Sequence, residues 1–407
     1  MELLGVHLLA MTTYHMKIAF FSDSFYPRKC GVTTYLTVTI QELVKRGHEM
    51  LMVVPKHKNS LNEKEMEAKF GCKFILLPSV SVRYYPDIKL AAPTPRSAVR
   101  VRRFKPDLIH FHTPGPVGVE GLLVAKALKV PIVVTFHTYF MEPEGFRLIG
   151  LKQEGRASSL LNKSLWKVAE GIHKPANAIV APTEYVAKDL QARWPKQRIE
   201  TIHGGVRIDS FRDNSMRKDL RESLGITNQE FAMLWVGRLS FEKNLDLILE
   251  AFALTEQEVP KIKLVMIGDG PARESLELLT QALELPEKVI FTRAISYQEL
   301  VERNYYSLAD MFVTASTWDT QGLSIIEAMA AGLPVVAPNV KAMPELVEGI
   351  GELVEPNNSE AMAEAILKLL RDDQLRVKYS KQAKVEAKSY SVESSVDELL
   401  ELYQDLI

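Results

Sequence analysis

At 407 residues, with 46% hydrophobic and 25% charged residues, the chain has the composition of a soluble globular protein and the length for two cores of about 200 residues each. Its two cysteines, Cys30 and Cys72, are far apart and lack CxxC spacing, which argues against a disulfide scaffold or a structural zinc site and fits a reducing cytosol. The net charge of −1 hides an asymmetry, because residues 1–209 hold 30 Lys+Arg against 18 Asp+Glu and the remainder 20 against 33, so the halves face different partners.

Residues 1–15 (MELLGVHLLAMTTYH) lack the positive n-region and A-x-A site of a signal peptide and read as a short extension. No later apolar run reaches the ~18 residues of a membrane-spanning helix. KIAFFS (17–22) reads as a buried strand, followed by a glycine-containing loop and a helix that stops at Lys45-Arg46-Gly47. MLMVVP (50–55), LIHFHT (108–113), PIVVTFHT (131–138) and AIVA (178–181) are further strands. A helix at 119–128 follows the second of these, and a helix begun by Pro182 and Thr183 follows the last. ETIHGGV (200–206) reads as a strand entering a turn.

A second series of alternations begins at FAMLWVGRL (231–239). Strands are predicted at 263–270, 289–292, 311–316 and 334–338, with helices at 245–254, 272–283, 297–307 and 324–331. Continuous apolar strands without alternation point to parallel sheets covered on both faces. The fold class is therefore α/β, with two Rossmann-like parallel-sheet domains facing a cleft. The expected division is a first domain at 16–207, a second at 208–385, and a C-terminal helix within 386–407 that crosses back to the first.

In WVGRLSFEKNLD (235–246), Arg238 follows a strand and Lys243 stands at the mouth of a helix for which Asn244 is the expected cap. Two cations beside a helix N-terminus make an anion site suited to phosphates, Arg as a planar fork and Lys as a mobile charge. The stretch WDTQGLSIIEAMAAGLPVVA (318–337) places Asp319 in a loop after a strand and Glu327 about one turn into the next helix. The amides of Gly322 and Leu323, which open that helix, can donate to an anion. Glu327 can accept ribose hydroxyls. Taken singly, IGDGP (267–271) is an ordinary turn, and Asp319 and Glu327 are ordinary helix-entry and surface acids. The loop PRKCGVTT is not the GxGxxG of a dinucleotide-binding enzyme.

VGRLSFEKNLD, the Asp319-x7-Glu327 arrangement with EAMAAGLPVVA, and the loop PRKCGVTTY together resemble the family 4 retaining glycosyltransferases of the GT-B fold. The resemblance runs from about Met16 to the end of the chain. It implies transfer of a sugar from a nucleotide-sugar donor with retention of anomeric configuration. On this resemblance Arg238 and Lys243 hold the donor diphosphate and Glu327 the ribose. Asp319 contacts the transferred sugar, Gly322 and Leu323 bind sugar or phosphate through their amides, and His137 is the cleft histidine that contacts the sugar. Gly31 is expected to let the backbone approach the donor phosphates. No cofactor is expected, since the nucleotide sugar is a substrate, and no metal, since the cations replace it. Three positions depart from the pattern: Asp319 where the family has Glu, Cys30 where a second glycine is common, and Arg293 where glycine is frequent near the nucleobase.

Residues 83–107 interleave Arg and Lys with Tyr, Leu, Val and Phe, and the segment after His137 alternates apolar and basic residues at helical spacing. With the basic first half, these read as a surface for anionic lipid, on which Arg96, Arg100, Arg102, Arg103, Lys105 and Trp166 are the candidates. A solvated basic face is the competing reading. Nucleic acid fits less well, because no binding motif accompanies the charge. The HTYF segment and basic first domain are similar to bacterial diacylglycerol glucosyltransferases of this family. That likeness implies UDP-glucose as donor, a lipid acceptor such as diacylglycerol, and a cytoplasmic enzyme peripheral at the inner face of the membrane. A soluble enzyme with a sugar or phosphoinositol-type acceptor, and a nucleotide-sugar-binding protein that has lost catalysis, are the alternatives. Oligomeric state is not legible in the sequence.

Overall fold

The computed structural model describes residues 15–58, 60–81, 89–142 and 156–407, with side chains at 156–159 left aside. The extension up to residue 14 and parts of both basic segments, 82–88 and 143–155, lie outside the described residues.

The first sheet has the order β3-β2-β1-β6-β7-β8-β9 and is parallel throughout. Its strands are β1 (Lys17–Phe21), β2 (Glu49–Pro55), β3 (Lys73–Leu77), β6 (Leu108–Phe111), β7 (Ile132–Thr135), β8 (Ala178–Ala181) and β9 (Ile199–Thr201). A short antiparallel hairpin, β4 (Ser79–Ser81) with β5 (Lys89–Ala91), sits beside it. Both faces are buried, which explains the unbroken apolar runs. Ala19 and Phe21 of β1 pack toward helices Pro95–Phe104, Pro116–Leu128, Arg156–His173 and Glu184–Arg193. Ile18 and Phe20 pack toward helices Gly31–Lys45, Glu63–Phe70 and the C-terminal Val392–Leu406.

The second sheet has the order β12-β11-β10-β13-β14-β15, again parallel. Its strands are β10 (Phe231–Val236), β11 (Ile262–Ile267), β12 (Val289–Phe291), β13 (Met311–Val313), β14 (Val335–Pro338) and β15 (Gly351–Val354). β15 and the helices Ser359–Arg371 and Asp373–Glu386 extend the alternation beyond the expected elements. The helix expected at 297–307 is broken: Tyr297–Glu302 is α-helical, Tyr305–Leu308 is a 3-10 turn, and Asn304 between them has φ 42°. The cause is tertiary. The buried Asn304 amide donates to the carbonyls of Phe211 (3.0 Å) and Asp213 (2.6 Å), which tie it to the linker.

The chain crosses between domains at Val206 and returns at Ser391. The crossings are stitched by a parallel bridge, with Val206 N donating to Tyr390 O (2.9 Å) and Val392 N to Val206 O (3.0 Å). Val396, Leu399, Leu402 and Tyr403 of the last helix then enter the first domain's core. A cavity of about 550 Å³ opens at this crossing, lined by Lys45, Arg207 and Lys388 among others. None of the described helices is long and apolar enough to cross a membrane.

Candidate active site

A cleft of about 1140 Å³ lies between the carboxyl ends of the two sheets, where open α/β sheets bind ligands. On the second-domain side the chain after β10 carries Gly237 and Arg238 into the cleft. Gly268, after β11, has φ +150°, and a Cβ there would meet Gly237 O at 1.8 Å. The IGDG turn is therefore no ordinary turn: only glycine lets the two strand ends touch.

Lys243 ends a 3-10 turn, Phe241–Lys243, and its Nζ bonds Asp319 Oδ1 from the loop after β13. Their side chains are 21% and 25% exposed. Burial pushes the Asp319 carboxyl up, but the Lys243 charge, with bonds from Lys243 and Ser316, holds it below the ordinary carboxylate value. Asn244 does not cap the following helix with its side chain. It adopts φ 50°, and its Nδ2 donates to Ala315 O at 3.3 Å.

Gly322, at φ 78°, precedes the helix Leu323–Ala331. Across the cleft, Gly31 is the first residue of the helix Gly31–Lys45, and a Cβ built on it would lie 3.8 Å from Leu323 Cδ1. Two helix N-termini thus face one gap, and an anion between them meets both sets of unpaired amides. Against the protein's own atoms a Cβ at position 31 makes only ordinary contact.

Glu327 lies on the same helix, 4% exposed. The Tyr306 hydroxyl donates to its Oε2 at 2.5 Å. Burial raises its carboxyl to about 7, only partly offset by that bond. Tyr297, also in the cleft, buries a hydroxyl that has no partner. Neither tyrosine carries a sequence signal for this role, since YY and SY read as packing residues. Arg293 is exposed and is not among the residues lining the cleft.

On the first-domain side His137 follows β7, with the Tyr35 ring 4.9 Å away and His112 Nδ1 3.2 Å from its Nε2. Burial pushes His137 down to about 3, so the imidazole is neutral. Tyr26, Pro27, Phe70, Leu90, Pro114 and Phe140 line this side of the cleft, together with Arg28, Lys29, Lys69 and Lys89. The loop holding Asp319 also clasps the domains together. Thr320 Oγ1 donates to His137 O (2.7 Å), and Gln321 bonds both N and O of Gly204 (2.9 and 3.1 Å). Lys341 and Glu142 add an interdomain ion pair at 2.8 Å.

Of the expected lipid-facing residues, Arg96, Arg102, Arg103 and Lys105 are exposed on and just after the helix Pro95–Phe104. Arg100 is instead committed inward, to Glu63 (2.7 and 2.8 Å) and Phe74 O (3.1 Å). Trp166 is likewise a packing residue, set among Phe136, Tyr139 and Trp194 with the Arg193 guanidinium 3.8 Å from its ring centre. Among the described residues no group of three or more His, Cys, Asp or Glu is placed to hold a metal ion.

Residues 216–386 match the family model described as Glycosyl transferases group 1, and residues 30–210 match Glycosyltransferase Family 4. The chain is 31% identical over 328 residues to the alpha-monoglucosyldiacylglycerol synthase of Streptococcus pneumoniae, covering 79% of this chain and 71% of the relative. It is 25% identical to the synthase of the same name from Acholeplasma laidlawii, covering 96% and 98%. A GDP-mannose-dependent alpha-mannosyltransferase of Corynebacterium glutamicum is 24% identical, covering 96% and 89%. Among solved structures, Anabaena Alr3699/HepE in complex with UDP and glucose superposes with TM-score 0.75 at 21% identity, covering 96% and 100% of the chains.

Proposed function

Because the chain belongs to the family 4 glycosyltransferases of the GT-B fold, we propose that it transfers glucose, with retention, from UDP-glucose to a lipid acceptor such as diacylglycerol at a membrane surface. The observation that carries this reading is the pairing of opposite walls in one cleft. Arg238, Lys243 and the helix N-terminus at Leu323 line the second-domain side; Tyr26, Pro27, Phe70, Leu90, Pro114 and Phe140 line the first, together with the helix N-terminus at Gly31 and the cations Arg28, Lys29, Lys69 and Lys89. Relatives named for glucosyldiacylglycerol synthesis support the glucose and lipid assignments; relatives named for GDP-mannose make the donor base and sugar the first thing to test.

In this reading the donor diphosphate lies between the N-termini at Gly31 and Leu323, within reach of Arg238 and Lys243. Its arrival draws Lys243 from Asp319, and the released carboxylate accepts the hydroxyls of the sugar. Glu327 accepts those of the ribose. As the anomeric carbon–oxygen bond breaks, negative charge grows on the leaving diphosphate, where preorganised cations stabilise it most. The acceptor hydroxyl forms its bond to the anomeric carbon on the face the diphosphate leaves and gives its proton to a diphosphate oxygen. No cofactor or metal enters this scheme.

The acceptor side extends outward. Leu90 lines the cleft yet is 49% exposed, and it stands four residues before Thr94, the N-cap of the helix bearing Arg96, Arg102 and Arg103. Val99 on that helix is also 49% exposed. Exposed apolar side chains among cations fit an anionic lipid interface, each cation contributing about 1 kcal/mol near the surface. The test incubates the protein with UDP-glucose, UDP-galactose and GDP-mannose on vesicles of diacylglycerol and anionic phospholipid, with products read by mass. A hexosyl-diacylglycerol from UDP-glucose is expected. Transfer only to a water-soluble sugar or inositol phosphate, or no sedimentation with the vesicles at low salt, rejects the lipid assignment.

A further inference from the structure

Resting on the reading of His137 as the imidazole that meets the transferred sugar, we propose that His112 is a positioning residue that holds His137 in one tautomer, its proton on Nδ1 and offered to the cleft. Counting protons on the two rings fixes the tautomer. His112 Nδ1 and His137 Nε2 are 3.2 Å apart, so one of them donates and the other accepts. The second nitrogen of His112, Nε2, is buried with no partner. A neutral imidazole carries one N–H. Placed on His112 Nε2, that N–H would be buried without an acceptor, the rarer and costlier kind of orphan; placed on Nδ1, it leaves only an unused lone pair. His112 Nδ1–H therefore donates to His137 Nε2. With the Nε2 lone pair engaged, the single proton of His137 sits on Nδ1, the nitrogen left for the cleft that His137 lines.

The surroundings hold this arrangement. His110 stacks on His112 with ring centres 4.1 Å apart, and Phe20 packs at 4.6 Å. His110 is itself pinned, Nδ1 to the Tyr403 hydroxyl at 2.6 Å and Nε2 to Thr135 Oγ1 at 2.8 Å. Tyr403 belongs to the helix that crosses back from the second domain, so the end of the chain braces the stack. Burial, with the neighbouring rings, keeps His110 and His112 well below the ordinary histidine value, and none of the three carries charge at neutral pH. His137 then presents a donor, not a base. It orients a sugar oxygen while the leaving diphosphate takes the acceptor's proton.

Long-range proton–nitrogen spectra of the full chain labelled with 15N-histidine, assigned with His137→Gln, read the tautomer directly. A His137 signal protonated at Nδ1 is expected; protonation at Nε2, or an exchanging mixture, overturns the proposal. Kinetics give the second reading, with melting curves checking that each variant folds. His112→Phe keeps the ring and removes Nδ1, and is expected to lower kcat by about tenfold or more with donor KM nearly unchanged. His112→Asn loses the ring but places an amide nitrogen near the Nδ1 position, and is expected to recover most of that loss. A packing role predicts the reverse order and overturns the proposal. If the wild-type protein releases UDP from no nucleotide sugar, the assigned activity fails, while the tautomer spectrum still decides the role of His112.

Discussion

The two walls of the cleft bury polar groups in opposite ways. On the second-domain wall Lys243 and Asp319 are a partly buried pair of charges, and the Glu327 carboxyl, raised to about 7, accepts from the Tyr306 hydroxyl. On the first-domain wall the imidazoles of His112 and His137 are kept neutral among aromatic rings, while Arg28, Lys29, Lys69 and Lys89 line the cleft beside them. Paired charges can exchange their partner for a charged ligand at modest cost, because the ligand replaces what the partner supplied. Neutral rings offer hydrogen bonds and apolar area but no counter-charge. The difference can be probed wall by wall.

The largest expected effect is at Glu327. Its carboxyl titrates near 7 in the folded protein against an ordinary value of 4.5. Between those values the folded state holds a proton that the unfolded state has lost, so stability falls as pH rises through this window and levels off above it. Glu327→Gln removes the decline. The variant should gain about 2.5 kcal/mol relative to wild type between pH 5 and pH 8, read from denaturant curves at each pH. Parallel pH profiles for the two proteins would show that Glu327 is not the buried acid described. The same variant should weaken donor binding above pH 7, where the wild-type carboxylate accepts the ribose.

Lys243→Ala comes next. Loss of the diphosphate's cation should lower turnover at least about tenfold, some 1.4 kcal/mol of barrier. Asp319 then loses the charge that held its carboxyl down, so donor affinity in the variant should become pH-dependent. Unchanged UDP release would break the assignment of Lys243 to the diphosphate. Smallest is Lys341→Ala, which removes the interdomain pair with Glu142, 14% and 20% exposed. Partly screened pairs of this kind contribute up to about 1 kcal/mol. The variant should raise KM for both substrates by a few-fold without changing kcat, as expected if the pair helps close the walls on each other; an altered kcat alone would contradict that.

Much of the fold was legible along the chain, because strands buried on both faces must be continuously apolar and the helices between them amphipathic. KIAFFS, AIVA and FAMLWV are strands for that reason, and VESSVDELLELYQDL is a helix, Val392–Leu406, on its own periodicity. The cleft residues Arg238, Lys243, Asp319 and Glu327 were legible through two motifs at strand ends, and all four line the same cleft. What escaped the sequence were positions whose role is set by a distant neighbour. Asn304 breaks a helix because two linker carbonyls claim its amide. Arg100 looks like a surface cation until Glu63 is placed beside it. Gly268 is required by its φ of +150° and because Gly237, just after the adjacent strand, leaves no room for a Cβ.

The sequence by itself determined two parallel α/β domains, the charge difference between them, and which residues stand at strand ends, since these follow from local periodicity and composition. Only the tertiary structure decided that Lys243 pairs with Asp319. It alone brought the N-termini at Gly31 and Leu323 together, and placed His112 Nδ1 3.2 Å from His137 Nε2. Each of these depends on a distance between residues tens to hundreds of positions apart, and chain order does not contain that distance until the cores have packed.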